Sequence, residues 1–152
     1  SVFSGLSVHE NVALAVRRTF DGEDSAFEEK VHAALVRVGL DDRARQIAGD
    51  LSYGHQRLLE IAMGLAQDPK LFILDEPTQG LAESESANFI RLIMSLAGET
   101  TILLIEHNMK VVMEAADFIT VLDQGQILAT GTPAQISNNA AVQAAYLGKS
   151  DA

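Results

Sequence analysis

Two adjacent carboxylates, Asp75 and Glu76, close an unbroken apolar run, Leu71-Phe72-Ile73-Leu74. Such a run reads as a buried strand of a parallel sheet. In open α/β sheets, ligands bind at the carboxyl ends of the strands. An Asp there can hold Mg²⁺, directly or through water, beside phosphate oxygens. A neighbouring Glu can orient or deprotonate a water for attack on a terminal phosphate. Two acids at a strand end can equally well just leave the sheet for solvent, so the pair by itself does not decide.

A second group lies upstream, one helix away: Leu51-Ser52-Tyr53-Gly54-His55-Gln56. Ser and Gly at a helix amino terminus suit an anion. The free N–H groups and the helix dipole attract negative charge, and Gly lets a ligand approach the backbone. Taken alone, the segment is also an ordinary helix cap. A third candidate, His107, follows another apolar run, Thr101 to Ile105. In a parallel arrangement it shares an edge with Asp75 and Glu76, where it could donate a hydrogen bond to a γ-phosphate. A lone His is more commonly solvated or packed. His9, His32 and His55 show no metal-ligand spacing, and His9 and His32 read as helix-surface residues.

The elements that must position these groups follow from local signals. Ser7-Val8-His9-Glu10 is a capping box opening a helix to about Arg18, and Ser25-Ala26-Phe27-Glu28 is a second. Phe27, Val31, Ala34, Leu35 and Val38 recur at helical spacing, and Gly39 ends that helix. Residues 41–50 are polar and connecting. Ser52 caps a helix to about Gln67, with Leu58, Ile61, Ala62 and Leu65 as its buried stripe and Asp68-Pro69 as its stop. Residues 83–97 form a helix with Phe89, Ile90, Ile93, Leu96 and Ala97 on one face. Thr101 to Ile105 is a second buried strand, and Asn108 caps the helix carrying Met109, Val112, Met113 and Ala116. Phe118 to Leu122 and Gln126 to Ala129 are strands joined by a turn at Asp123-Gln124-Gly125. Pro133 to Leu147 is helical in two pieces.

Bulk properties narrow the classes. A chain of 152 residues fits one domain. Its 47% hydrophobic content argues against global disorder. Without cysteine there is neither a disulfide framework nor a thiolate metal site. The formal net charge of −10, with no cluster of Lys and Arg, excludes a nucleic-acid-wrapping surface. No apolar run reaches the ~18 residues needed to span a bilayer, so any link to a membrane passes through a partner. The absence of an initiating Met leads to the expectation that the chain is a trimmed piece.

The three groups, in this order, resemble the ABC transporter nucleotide-binding domain. Leu51, Ser52, Tyr53, Gly54 and His55 correspond to the family's signature motif, normally Leu-Ser-Gly-Gly-Gln. Leu71 to Asp75 resembles its Walker B strand, with Glu76 at the catalytic glutamate, His107 at the switch histidine, and Thr78 to Ala82 in the D-loop. Leu-Ser-Tyr-Gly, Leu59-Glu60-Ile61-Ala62 and the terminal Ala145-Tyr146-Leu147-Gly148 are most similar to importers for branched-chain amino acids and for urea or short amides.

The resemblance implies a fold class: a partial P-loop NTPase (RecA-like) α/β core with parallel strands, preceded by an α-helical signature-motif subdomain. It implies a division into a helical subdomain, 1–68, and the carboxy-terminal half of the core, 69–152. It further implies ATP and Mg²⁺ as cofactors, Asp75 as the metal ligand, Glu76 and His107 as catalytic, and residues 51–55 as nucleotide-binding. The partners implied are a second ABC ATPase subunit, as homo- or heterodimer, and transmembrane permease subunits, with no direct membrane insertion. The location implied is the cytoplasmic face of the cell membrane. Lipopolysaccharide-export ATPases, soluble ABC-type ATPases and non-catalytic interaction modules on the same scaffold remain alternatives.

Departures from the family pattern are local. Tyr53 stands at the first Gly of the signature, His55 at the Gln, and Ala82 where many members carry Asp. No Gly-x-x-x-x-Gly-Lys-Ser/Thr loop occurs in the 152 residues. Gly148-Lys149-Ser150 lacks the earlier Gly, since position 143 is Gln, and it follows a helix rather than a strand. The expectation is that the Walker A loop and the coupling glutamine lie before Ser1, that the unpartnered strand edges close locally or by oligomerisation, and that these residues alone are inactive.

Overall fold

A computed structural model describes residues 1–147, so Gly148-Lys149-Ser150 lies outside the described residues. The chain folds as two compact units, Ser1–Leu103 and Leu104–Ala152.

The first unit opens with three mutually packed helices: α1 (Val8–Arg17), α2 (Asp24–Val38) and α3 (Tyr53–Leu65). Their apolar stripes meet in a core of Val8, Val12, Val16, Val31, Leu35 and Leu59, all at most 1% exposed. The start of α1 follows directly from its sequence. Ser7 Oγ accepts from Glu10 N at 3.2 Å, and the Glu10 carboxylate accepts from Ser7 N at 2.7 Å. Asn11, fully buried, accepts from Phe3 N and donates to the carbonyls of Phe3 and Ser7, so its amide is satisfied.

The capping box expected at Ser25 does not form. Helix α2 begins two residues earlier, with Glu23 at the cap and no side-chain cap bond. Asp24 in the first turn places a negative charge at the dipole's positive end instead. Gly39 takes φ 70° and ends α2 as expected. Two 3-10 turns, Asp41–Arg43 and Ala48–Asp50, lead to Ser52 and α3. Ile61, Ala62 and Leu65 of the expected stripe are buried, together with Leu59, whereas Leu58 is only partly buried.

Strand β1 (Leu71–Asp75) is joined through helix α4 (Glu83–Leu96) to β2 (Thr101–Ile105), and the two strands form one sheet. A helical crossover between paired neighbours is the α/β connection that parallel strands require. Both strands were expected to be buried, and they are not. Leu71 and Ile73 are 52% and 56% exposed, and Leu103 and Ile105 are both 48% exposed. Only the alternate side chains are covered. The Phe72 ring rests against Gly64 of α3, where a Cβ would come within 2.6 Å of it, and Leu74 is buried. Because side chains alternate faces at period two, a sheet covered on one side hides every second residue. Helix α4 buries Phe89, Ile90, Ile93 and Leu96, whereas Ala97 is exposed beyond its end.

The second unit holds helix α5 (Met109–Ala115), the hairpin β3 (Ile119–Asp123) and β4 (Gln126–Gly131), and helices α6 (Pro133–Ser137) and α7 (Ala140–Leu147). The strands pair antiparallel with an irregularity between Val121 and Leu122. Gln124 and Gly125 turn the chain with φ of 48° and 78°, both positive, as a type I′ turn requires. Ile119, Ile136 and Val142 make a small core, flanked by Met109, Val112, Met113 and Leu128. Phe118, expected in the strand, lies just before it and is 65% exposed. Among the described residues, no helix is long and apolar enough to cross a membrane.

Candidate functional site

The amino terminus of α3 carries the first group. Leu51, 6% exposed, anchors it in the helical core. Ser52 has extended backbone angles, and its Oγ accepts from His55 N at 3.3 Å, satisfying one of the helix's free donors. The same oxygen lies 2.8 Å from His55 Nδ1. The Tyr53 ring is half exposed, and the Arg57 guanidinium stands over it at 5.5 Å from the centroid. Burial opposes the charge on Arg57, but the hydrogen bonds it donates to Glu60 and Tyr53 outweigh it and raise the guanidinium's pKa.

The second group is at the end of β1. Asp75 is exposed, and Glu76, partly buried, takes φ 42°. A non-glycine residue in the left-handed region costs roughly 1–2 kcal/mol. That strain turns the chain sharply as it leaves the strand, into Pro77 and Thr78, both buried. Gln79 N then donates to the Glu76 carbonyl at 3.1 Å, and Leu81 N to the Thr78 carbonyl at 3.2 Å. Gly80 takes φ 78°.

These two groups are tied within the first unit by contacts that sequence reading did not find. A Cβ on Gly80 would lie 3.3 Å from Tyr53 Cε1, so the loop after Glu76 rests on the signature tyrosine. A Cβ on Gly54 would lie 2.5 Å from Glu85 Oε1. Glu85 is held there because its carboxylate accepts from Ala82 N at 2.9 Å, one half of a capping box at the start of α4. The spacing of Glu85 three residues after Ala82 is visible in the sequence, but Ala82 has no side-chain acceptor and does not announce a cap. His107 belongs to the second unit, where it is exposed just before Asn108. Asn108 Oδ1 caps α5 by accepting from Lys110 N at 3.1 Å.

The arrangement fits a phosphate ligand better than a bare metal. Ser52 presents an exposed hydroxyl at the amino terminus of α3, where the helix dipole favours an anion. Among the described residues, no three His, Cys, Asp or Glu side chains gather to hold a metal. Mg²⁺ commonly takes one or two carboxylates and completes its shell with water and phosphate oxygens. Asp75 at an exposed strand end matches that partial role.

Comparison with known proteins bears on the family and the fold. The family model described as ABC transporter matches residues 1–79, and that for the branched-chain amino acid ATP-binding cassette transporter matches residues 126–152. The high-affinity branched-chain amino acid transport ATP-binding protein LivG of Escherichia coli K12 is 49% identical over 117 residues, covering 76% of this chain and 46% of LivG. BraF of Pseudomonas aeruginosa, of the same description, is 46% identical over 129 residues, covering 84% of this chain and 50% of BraF. The chain thus spans about half the length of the curated relatives it matches. Among solved structures, cbiO1 from Clostridium perfringens, part of the ABC transporter complex cbiONQ, superposes with a TM-score of 0.84 at 26% identity, covering 93% of this chain and 57% of that one. MJ1267 in its ADP conformation shares the fold, with a TM-score of 0.80 at 24% identity, 95% of this chain and 64% of that one. The fold is the α/β P-loop NTPase fold of ABC ATPases. With a family match over just over half its length and relatives at nearly half identity, the chain belongs to the ABC transporter family.

Proposed function

We propose that this chain supplies the signature segment and the catalytic strand end of the ATP-hydrolysing subunit of an importer for branched-chain amino acids or related small solutes. The observation that carries the reading is the tie between the Ser52–His55 helix start and the loop after Glu76, made by Gly54 with Glu85 and by Gly80 with Tyr53. Both groups that would handle ATP phosphates are held together by one unit. The similarity to LivG and BraF supports the solute class.

In this reading residues 1–68 are the helical subdomain and residues 69–152 belong to the ATPase core. Leu51, Ser52, Tyr53, Gly54 and His55 face the γ-phosphate of ATP gripped by a second ATPase subunit, identical or related. Asp75 holds Mg²⁺, which neutralises charge developing on the phosphate oxygens. Glu76 orients the attacking water and accepts its proton, and His107 donates to the γ-phosphate. Permease subunits carry the solute, and the ATPase works at the cytoplasmic face. These 152 residues contain no Gly-x-x-x-x-Gly-Lys-Ser/Thr cradle, so by themselves they hydrolyse ATP negligibly.

The test is Glu76→Gln in the intact transporter. ATP hydrolysis falls by about 100-fold or more while ATP binding persists, in keeping with loss of a general base. Unchanged turnover in that variant, or Glu76-dependent turnover by these 152 residues alone, would defeat the proposal.

A further inference from the structure

Glu85 stands between the two groups that would handle phosphates, and its two oxygens do different things. Oε2 accepts from Ala82 N at 2.9 Å, at the start of α4. Oε1 lies nearest Gly54, where an added Cβ would meet it at 2.5 Å. Ala82 ends the loop that leaves β1. That loop is held by two bonds of its own, from Gln79 N to the Glu76 carbonyl at 3.1 Å and from Leu81 N to the Thr78 carbonyl at 3.2 Å. A run of contacts therefore leads from the backbone of Glu76, through Ala82 and Glu85, to the backbone of Gly54. We propose that Glu85 is a positioning residue for ATP hydrolysis. Its carboxylate fixes the start of α3 against the loop that carries Glu76, so that the signature segment and the catalytic strand end keep one spacing.

This inference rests on the reading of residues 51–55 and Glu76 as ATP-handling, and deepens it. An acid in the first turn of a helix ordinarily serves the cap alone. Two features set Glu85 apart. Ala82 brings no side-chain acceptor to the cap, so the bond from Ala82 N to Glu85 is what ties the end of the loop to α4. Position 54 is glycine, so no side chain separates the carboxylate from the α3 backbone. A carboxylate held in place at one oxygen limits how far the start of α3 can shift toward α4. Such alignment counts most in the transition state, where a misplacement of about 1 Å can cost on the order of 100-fold in rate. The initial grip on nucleotide does not run through Glu85, because it belongs to a Gly-x-x-x-x-Gly-Lys-Ser/Thr cradle that these 152 residues do not contain. Loss of Glu85 should therefore fall on kcat rather than on KM.

The experiment measures kcat and KM for Mg-ATP in the intact transporter ATPase, below the melting temperature of every variant. The variants are Glu85→Ala, Glu85→Gln, Ala82→Asp, the double variant Ala82→Asp/Glu85→Ala, and Ser52→Ala. Glu85→Ala should lower kcat about 10-fold and change KM by less than about 2-fold. Glu85→Gln keeps the size of the side chain and an oxygen for Ala82 N, so it should recover most of kcat. A Gln variant as slow as Glu85→Ala would overturn the proposal, since position and not charge is what Glu85 supplies. Ala82→Asp gives α4 an ordinary cap that needs no Glu85. The double variant should regain the melting temperature lost in Glu85→Ala, yet stay about 10-fold below Ala82→Asp in kcat. If the double variant turns over as fast as Ala82→Asp while Ser52→Ala is impaired, Glu85 serves the helix cap alone, and the nucleotide reading stands without it. If Ser52→Ala leaves both kcat and KM unchanged, the nucleotide reading of this segment falls, and the positioning role with it.

Discussion

The backbone of Gly54 lies against the carboxylate of Glu85, so closely that a Cβ at position 54 would stand 2.5 Å from Oε1. The carboxylate cannot swing aside without cost, because it accepts from Ala82 N at 2.9 Å at the start of α4. Gly54→Ala should therefore disturb α4 as well as α3. The expected loss is about 1 kcal/mol, the scale of a helix cap. In a Glu85→Ala background the same substitution should cost measurably less, because the opposing oxygen is gone. Denaturant melts of the four proteins in this cycle check the coupling.

Gly80 couples the other pair of loops. Its φ of 78° is open to glycine and strained for alanine, and its backbone faces Tyr53. Gly80→Ala should destabilise by about 1 kcal/mol. Tyr53→Ala should not rescue it, since the strain is in the backbone and not in the ring contact. Thermal unfolding of the single and double variants separates the two causes.

The start of α1 gives a pH dependence. The Ser7 backbone N–H, and then the Ser7 hydroxyl, stabilise the Glu10 carboxylate and hold its pKa below the ordinary glutamate value. The folded chain thus favours the anion more than the unfolded chain does. The contribution is fully present above the ordinary value of 4.5 and fades as pH falls through the lowered folded value. Wild type should melt above Glu10→Gln near neutrality, and the gap should narrow steadily on acidification below about pH 4.5.

The hairpin turn offers a stabilising change. Gln124 is exposed and holds φ 48°, and Gly125 follows at 78°. Asn tolerates this region better than Gln and is the preferred first residue of a type I′ turn. Gln124→Asn should raise stability by about 0.5 kcal/mol, and Gly125→Ala should lower it by about 1 kcal/mol. Hydrogen exchange in β3 and β4 would show both effects locally.

The sequence was legible where a feature depends on residues a few positions apart. Ser7 with Glu10, Gly39 after α2, Asn108 before α5 and Gln124-Gly125 all announce their geometry, because each is settled by short-range hydrogen bonds or by a permitted φ. The order of Ser52, Asp75, Glu76 and His107 was enough to name the family. Strand burial was not legible, because Leu71 and Ile73 are hidden or exposed according to what packs on the sheet, and nothing in a tetrad of apolar residues records that. The Gly54–Glu85 and Tyr53–Gly80 contacts were also out of reach, since they join segments distant in the chain.

The exposed side chains of β1 and β2 set how the chain behaves in concentrated solution. Leu71, Ile73, Leu103 and Ile105 offer an oily surface to any neighbour, while a formal charge of −10 pushes neighbours apart. Salt acts on these two terms in the same direction. It shortens the reach of the charge to about 8 Å at 0.15 M, and sulfate also strengthens apolar burial where chloride does much less. Salting-out should therefore be steep and anion-specific, with sulfate precipitating the chain at an ionic strength that leaves it dissolved in chloride.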